Sequence, residues 1–380
     1  MKQVITALFL FAAIAAAQAQ DGNNICVWNG IQNYNQQAGP EELERAMKCS
    51  DEAIVNESTS GKWKTWFYRG QAYTLVFMDK VLKPKYGSSS MEATKAWKKL
   101  YEINDPKFKE WEEACKYIMP LATNIFNEGV DLYQQKNYAQ AFQFFYGIKD
   151  INSVLVGKGQ KPNIDLAVAL KNAAICAENS GNTEGAMNVY KDWLAIAPDA
   201  AAYRNLALAY KKQNKNDEAK KSIDEGLTKF PKDPNLLVEK INFFLSDTMY
   251  TEALAFVNNL LEVEPKNDGA LFIKGLAYEK IGNEDSVVYY YLKSTEINPK
   301  SIKPWNNLGA LYMAKANALV EQMNKLGNST EDQKKYDALT VKRKEWYTKA
   351  KPYLDKAHEI DPTDAVINRV LKKIELDTAK

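Results

Sequence analysis

Four asparagines, Asn127, Asn172, Asn205 and Asn307, each stand two residues ahead of a small residue: Gly129, Ala174, Ala207 and Gly309. A side-chain amide offers one acceptor and two donors, so such an asparagine can pair with both backbone groups of an extended peptide. The same residues can equally serve as solvated polar positions or make local packing bonds. Other chemistry is thinly supplied. The chain has one histidine, His358, which nearly excludes a His-based triad, a His-rich metal site or a His general base. Glu41/Glu42 and Glu112/Glu113 are adjacent pairs. Adjacent residues on a helix point different ways, so neither pair makes an acid–base dyad. Cys26, Cys49, Cys115 and Cys176 form no CxxC, so a zinc or thioredoxin-type site has no support. No G-x-x-x-x-G-K-[ST] loop, H-E-x-x-H or G-x-S-x-G is present. These residues point away from catalysis and call for no cofactor.

Composition agrees. Lys+Arg 50 against Asp+Glu 48 leaves +2, with no electrostatic footprint for nucleic acid. The basic runs Lys211-Lys212, Lys220-Lys221, Lys334-Lys335 and Lys342-Arg343-Lys344 are interleaved with acids and read as solvated helix faces. Hydrophobic residues at 46% exclude wholesale disorder. Only 18 Gly and 13 Pro in 380 residues argue against an all-β fold rich in tight turns. That length exceeds one ordinary core and predicts two or three domains or a repeat array.

Met1-Lys2-Gln3 is a short basic stretch, and Val4 to Ala17 is an apolar run broken only by Thr6. Ala17-Gln18-Ala19 then supplies a small-x-small cleavage site, so residues 1–19 read as a secretory signal peptide. The run is shorter than the ~20 residues of a spanning helix. No Cys directly follows Ala19, which excludes a lipid anchor there. The expected location is periplasmic or secreted, and the style of the signal is that of a Gram-negative bacterium. In an oxidising compartment Cys26 and Cys49, on neighbouring predicted helices, are free to bridge. Cys115 and Cys176 read as small buried apolar residues.

The chain is also periodic. Pro198, Pro231, Pro265 and Pro299 fall 33, 34 and 34 residues apart, the period of a helix–turn–helix repeat. Trp305, Leu308, Gly309 and Tyr312 share one helical face, as do Tyr203, Leu206, Ala207 and Tyr210. A second helix follows in each period, carrying Ala219, Ile223 and Gly226, then Ala253, Val257 and Leu260, then Ala350, Leu354 and Ala357. Each proline stops that second helix. The W-x2-L-G-x2-Y segment at Trp305–Tyr312, the small residues and the terminal prolines resemble the tetratricopeptide repeat family.

The resemblance implies an all-α, right-handed α-solenoid of helix–turn–helix repeats with a C-terminal capping helix. Residues 20–153 read as degenerate repeats, 154–166 as an inter-repeat loop, 167–362 as the regular array and 363–380 as the cap. Within the first of these, Leu43–Ala53 reads as a second helix, Lys83–Ser90 as a loop, and a helix from near Phe108 as kinked or broken at Pro120. The last regular unit needs extended helices, because Tyr312 and Ala350 lie 38 residues apart. The cap places Val366, Val370 and Ile374 on one side.

The resemblance further implies a concave surface of first helices that binds protein or peptide partners. There Asn127, Asn172, Asn205 and Asn307 would grip a ligand backbone, with Lys171 and Arg204 beside them. Glu239 and Ile273 interrupt the series. A charged carboxylate clamp is disfavoured, since Ile175 and Leu208 stand where it needs polar groups. The aromatic set Trp63, Trp66, Phe67, Tyr68, Trp97 and Trp111 reads as helix-pair core, with a sugar-stacking surface as its rival. The expected function is a non-enzymatic exported scaffold, an adaptor or assembly factor of the cell envelope. The alternative is a glycan-binding envelope protein.

Overall fold

The computed structural model describes residues 22–379. The export signal read at 1–19 lies outside them. The described residues are helical throughout, without a strand, and fall into two compact units divided between Asn214 and Lys215.

Unit 1 runs through α1 (22–35), α2 (Glu41–Ile54), α3 (Glu57–Ser60), α4 (Trp63–Met78) and α5 (Ser89–Ile103). It continues with α6 (Trp111–Gln134), α7 (Tyr138–Gly157), α8 (Leu166–Asn179), α9 (Thr183–Ile196) and α10 (Ala200–Lys212). Sequential helices pack as pairs, and α4 also meets α2 and α6 while α7 also meets α5. A Cys26–Cys49 disulfide joins α1 to α2, with Cα atoms 6.1 Å apart. Cys115 and Cys176 are buried free thiols. Burial pushes both thiols up, that of Cys176 to about 11. They behave as small apolar residues.

Unit 2 holds α11 (Asn216–Lys229), α12 (Pro234–Ser246), α13 (Tyr250–Val263), α14 (Asp268–Ile281), α15 (Glu284–Ile297), α16 (Ile302–Met323), α17 (Thr330–Ile360) and α18 (Ala365–Thr378). The extended pair α16/α17 turns through residues 324–329, where Ser329 caps α17 by accepting from the Asp332 amide (3.0 Å).

The punctuation is local chemistry. Helices α9, α11, α13, α15 and α17 each end two residues before Pro198, Pro231, Pro265, Pro299 and Pro362, because the residue ahead of a proline is pushed out of the helical region. First helices open on side-chain caps at Asp165, Asp199, Asp233 and Asn267. Small residues on first helices let the second helix close in. A Cβ at Gly275 would lie 2.6 Å from the Tyr291 ring.

The turn after a first helix needs one left-handed residue. Gly181 and Gly282 fill that place at φ 72° and 81° without steric cost. Thr248 holds the equivalent place after α12 at φ 59°, where a β-branched residue is strained. Thr248→Gly is therefore expected to stabilise unit 2 by about 1 kcal/mol. A urea unfolding midpoint unchanged or lowered would contradict this.

Four readings are corrected. Residues 154–157 are helical rather than loop, because Val154 and Leu155 are buried against the core and extend α7. The loop is 158–165, held to α6 by Asn163, whose amide donates to the Met119 carbonyl (3.1 Å) and Thr123 Oγ1 (2.7 Å). Helix α6 starts at Trp111 and continues through Pro120, carried by buried Ile118, Leu121, Ala122 and Ile125 on its inner face. In α18 the buried residues are Ile367 and Ile374, while Val366 is exposed. Asp364 caps this helix on the amides of Val366 (2.8 Å) and Ile367 (3.1 Å), which sets the phase. Helix α5 opens at Ser89, so its connection to α4 spans 79–88.

Candidate polypeptide-binding surface

The four asparagines all fall on first helices: Asn127 on α6, Asn172 on α8, Asn205 on α10 and Asn307 on α16. The first three belong to unit 1 and the last to unit 2. Asn127 is exposed, and the other three are half-buried. Lys171 is exposed next to Asn172, and Arg204 is half-buried next to Asn205. The interrupting residues differ, Glu239 being buried and Ile273 half-buried.

One device recurs in both units. In unit 1, Asn205 Nδ2 donates to Tyr190 Oη (3.2 Å), and Tyr190 Oη donates to Glu178 Oε1 (2.5 Å). In unit 2, Asn307 Nδ2 donates to Tyr291 Oη (3.1 Å), and Tyr291 Oη donates to Glu279 Oε2 (2.7 Å). Each time the glutamate stands in the last turn of a first helix, the tyrosine follows 12 residues later on the second helix, and the asparagine lies on the first helix that comes next.

The chemistry fixes the amide. A phenol that gives its proton to a carboxylate can only accept from the asparagine, so Nδ2 faces the tyrosine and Oδ1 faces away. Burial, then the Glu178 carboxylate, raises the Tyr190 phenol well above its ordinary range. Burial raises the Tyr291 phenol likewise, with Glu279 adding to it and Asn307 opposing. Both phenols therefore stay protonated. Each asparagine keeps Oδ1 and its second N–H for other partners. Asn205 lines an open cavity of about 630 Å3 together with Glu178, Leu208, Lys211 and Lys212, all of unit 1.

Sequence reasoning singled out the asparagines but missed the residues that orient them. The signal was the shared Glu–Tyr spacing at 178/190 and 279/291.

The aromatic set of unit 1 is spent on its own core. Trp97 is fully buried, Phe67 and Phe108 nearly so, and Trp63, Trp66, Tyr68 and Trp111 pack against the same cluster. Phe108 lies 5.0 Å from the Trp63 ring and 4.9 Å from the Trp111 ring. The Trp66 indole N–H donates to the Ser60 carbonyl (2.6 Å).

A profile described as tetratricopeptide repeat matches residues 200–229 and 269–301. Those two segments are tetratricopeptide repeats. Among solved structures, a double mutant of MamA from strain RS-1 matches at TM-score 0.40 and 17% identity, covering 53% of this chain and 98% of that one. MamA from Desulfovibrio magneticus RS-1 matches at TM-score 0.37 and 19% identity, covering 49% and 97%. YrrB, described as a TPR protein with an unusual peptide-binding site, matches at TM-score 0.37 and 16% identity, covering 47% and 87%. No curated protein matches the chain. Among the described residues, no helix of this repeat protein is long and apolar enough to cross a membrane.

Proposed function

We propose that this repeat protein is an exported scaffold that binds other polypeptides through the faces of its first helices. It would work as an adaptor or assembly factor in the cell envelope, without catalysis and without a cofactor. The observation that carries the reading is the recurrent Glu–Tyr–Asn link. It spends one N–H of Asn205 and of Asn307 on a tyrosine and leaves each amide an acceptor and a donor, the pair of groups an extended chain requires. Asn127 and Asn172 occupy the corresponding places on α6 and α8, and Lys171 and Arg204 flank the series. Repeats of this kind cannot bury their apolar sides singly, so neighbouring helix pairs within a unit stack and set their first helices side by side.

The test is a crosslinked pull-down from source-cell extract, run with the native protein and the Asn127→Ala/Asn172→Ala/Asn205→Ala variant. A discrete polypeptide should be captured by the native protein and recovered at least tenfold less by the variant. Equal recovery by both would move the interface off the asparagines.

A further inference from the structure

The α16/α17 hairpin is longer than its neighbours in unit 2. Helix α16 has 22 residues and α17 has 31, against 14 in each of α15 and α18. The buried residues of α17 are Tyr347, Ala350, Leu354 and Ala357, so nothing from Thr330 to Trp346 is buried. At the rise of an α-helix that stretch is about 25 Å long. The apolar contacts of α16 run on to Leu319 and Met323, so α16 backs the stretch and the remaining sides face solvent.

The projection carries an unbalanced charge. From Lys334 to Lys351 stand seven basic residues and two acidic ones, Asp337 and Glu345, a net of +5 in a chain whose total is +2. Only two of the seven are neutralised. Lys335 pairs with Glu331 (2.8 Å) and Lys351 with Asp355 (2.9 Å). Among the described residues Lys334, Lys342, Arg343, Lys344 and Lys349 make no ion pair, which leaves +3 after the pairs are discounted. Lys349 Nζ instead lies 4.6 Å from the Trp346 ring centroid, beside Lys315 Nζ at 4.4 Å. That ring also stacks on Tyr312 (5.9 Å). Already crowded by a tyrosine and two ammonium groups, it offers no bare platform for a sugar or a base.

Apolar groups stand among these cations. Val341 is 61% exposed and Tyr336 43%. Lys334 and Lys344 lie seven residues before and three after Val341, on its side of the helix.

We propose that the projecting half of this hairpin docks on an anionic lipid surface. The shape selects the partner. A convex rod with no cleft cannot enclose a peptide, whereas a plane meets it along its length. Unpaired lysines are drawn to a negatively charged surface, and Val341 among them is placed to enter the headgroup boundary. Among the described residues no helix can cross a membrane, so the chain would lie against the surface without spanning it.

The probe is flotation of the full chain with vesicles of equal parts phosphatidylglycerol and phosphatidylcholine, compared with vesicles of phosphatidylcholine alone. Binding is expected to be at least tenfold stronger to the anionic vesicles and to weaken as salt rises. Lys342→Glu/Lys344→Glu/Lys349→Glu is expected to lose that preference, while Lys107→Glu/Lys109→Glu/Lys161→Glu in unit 1, with the same change of net charge, keeps it. Lys342→Gln/Lys344→Gln serves should the first variant melt below the native protein, and is expected to weaken binding severalfold. Val341→Ser, which leaves the charge alone, is expected to weaken it severalfold as well. Equal binding to both kinds of vesicle, the same loss in the unit 1 variant, or capture by soluble polyglutamate in place of anionic vesicles would overturn the proposal.

Discussion

Removing both acids around Arg69, as Asp51→Ala with Glu92→Ala, is expected to destabilise unit 1 by about 3–5 kcal/mol. The Arg69 side chain is 4% exposed. Its guanidinium donates to Asp51 Oδ1 (2.6 Å), Ser50 Oγ (3.0 Å) and Glu92 Oε2 (2.8 Å), and lies 4.3 Å from the Tyr73 ring. Tyr73 Oη donates to the same Asp51 oxygen (2.7 Å). The cluster ties α2, α4 and α5 together. Without the acids a buried cation has no counter-charge, which is the costly way to break such a pair. Arg69→Met removes the charge and keeps an apolar stem. Asp51 and Glu92 are 53% and 29% exposed and can rehydrate, so this variant is expected to cost less than half as much.

The pH dependence has a definite sign. Burial works to raise the Glu92 carboxyl, but Lys95 and then Arg69 outweigh it and hold it below its ordinary 4.5. A carboxyl depressed in the folded state adds stability that is present above the unfolded value and lost as pH falls through the folded one. Urea unfolding measured on descending from pH 6 should show a loss in the native protein that flattens in the double variant. A larger effect for Arg69→Met than for the double acid variant would refute this description of the cluster.

Trp97→Ala is expected to cost about 3–5 kcal/mol as well. Trp97 is 0% exposed, stands 6.1 Å from the Phe67 ring and donates its indole N–H to Thr74 Oγ1 (3.1 Å). It also fills the space that Gly70 leaves, where a Cβ would lie 2.6 Å from its ring. Truncation opens a cavity that two rigid helices cannot close and orphans the Thr74 hydroxyl. Trp97→Phe should recover part of the loss by refilling volume without the hydrogen bond. A melting temperature for Trp97→Ala equal to the native one would show that the aromatic set is not the core of this unit. The glycan alternative would then regain force.

The regular repeats were legible because each carries its own local chemistry. Apolar residues fall at helical spacing, small residues face the partner, and a proline closes each period from Pro198 to Pro299. The helical hairpin α16/α17 was legible too, since its extra length had nowhere else to go. The N-terminal helices were read with the wrong edges at 154–157 and near Phe108, and a break at Pro120 is not there, because burial of Val154, Leu155 and Ile118 decided them rather than local propensity. The division between Asn214 and Lys215 was invisible. It falls inside the matched segment 200–229, and the proline punctuation runs across it in phase. The Cys26–Cys49 pairing was left open by the sequence and is formed. The asparagines were found by their place in the period. The tyrosines that orient them were not, because a bond spanning three helices leaves only a spacing behind. The Arg69 cluster was missed for the same reason.

The most direct test of polypeptide binding by the first-helix face is site-specific photocrosslinking. A photoreactive residue replaces Lys171 on α8 in one variant and Asn188 on α9 in another, both exposed positions. The account predicts a discrete polypeptide adduct from position 171 that disappears when Tyr190→Phe frees the Asn205 amide, with none from position 188. Adducts from position 188 alone, or adducts from 171 untouched by Tyr190→Phe and by Asn205→Ala, would contradict it.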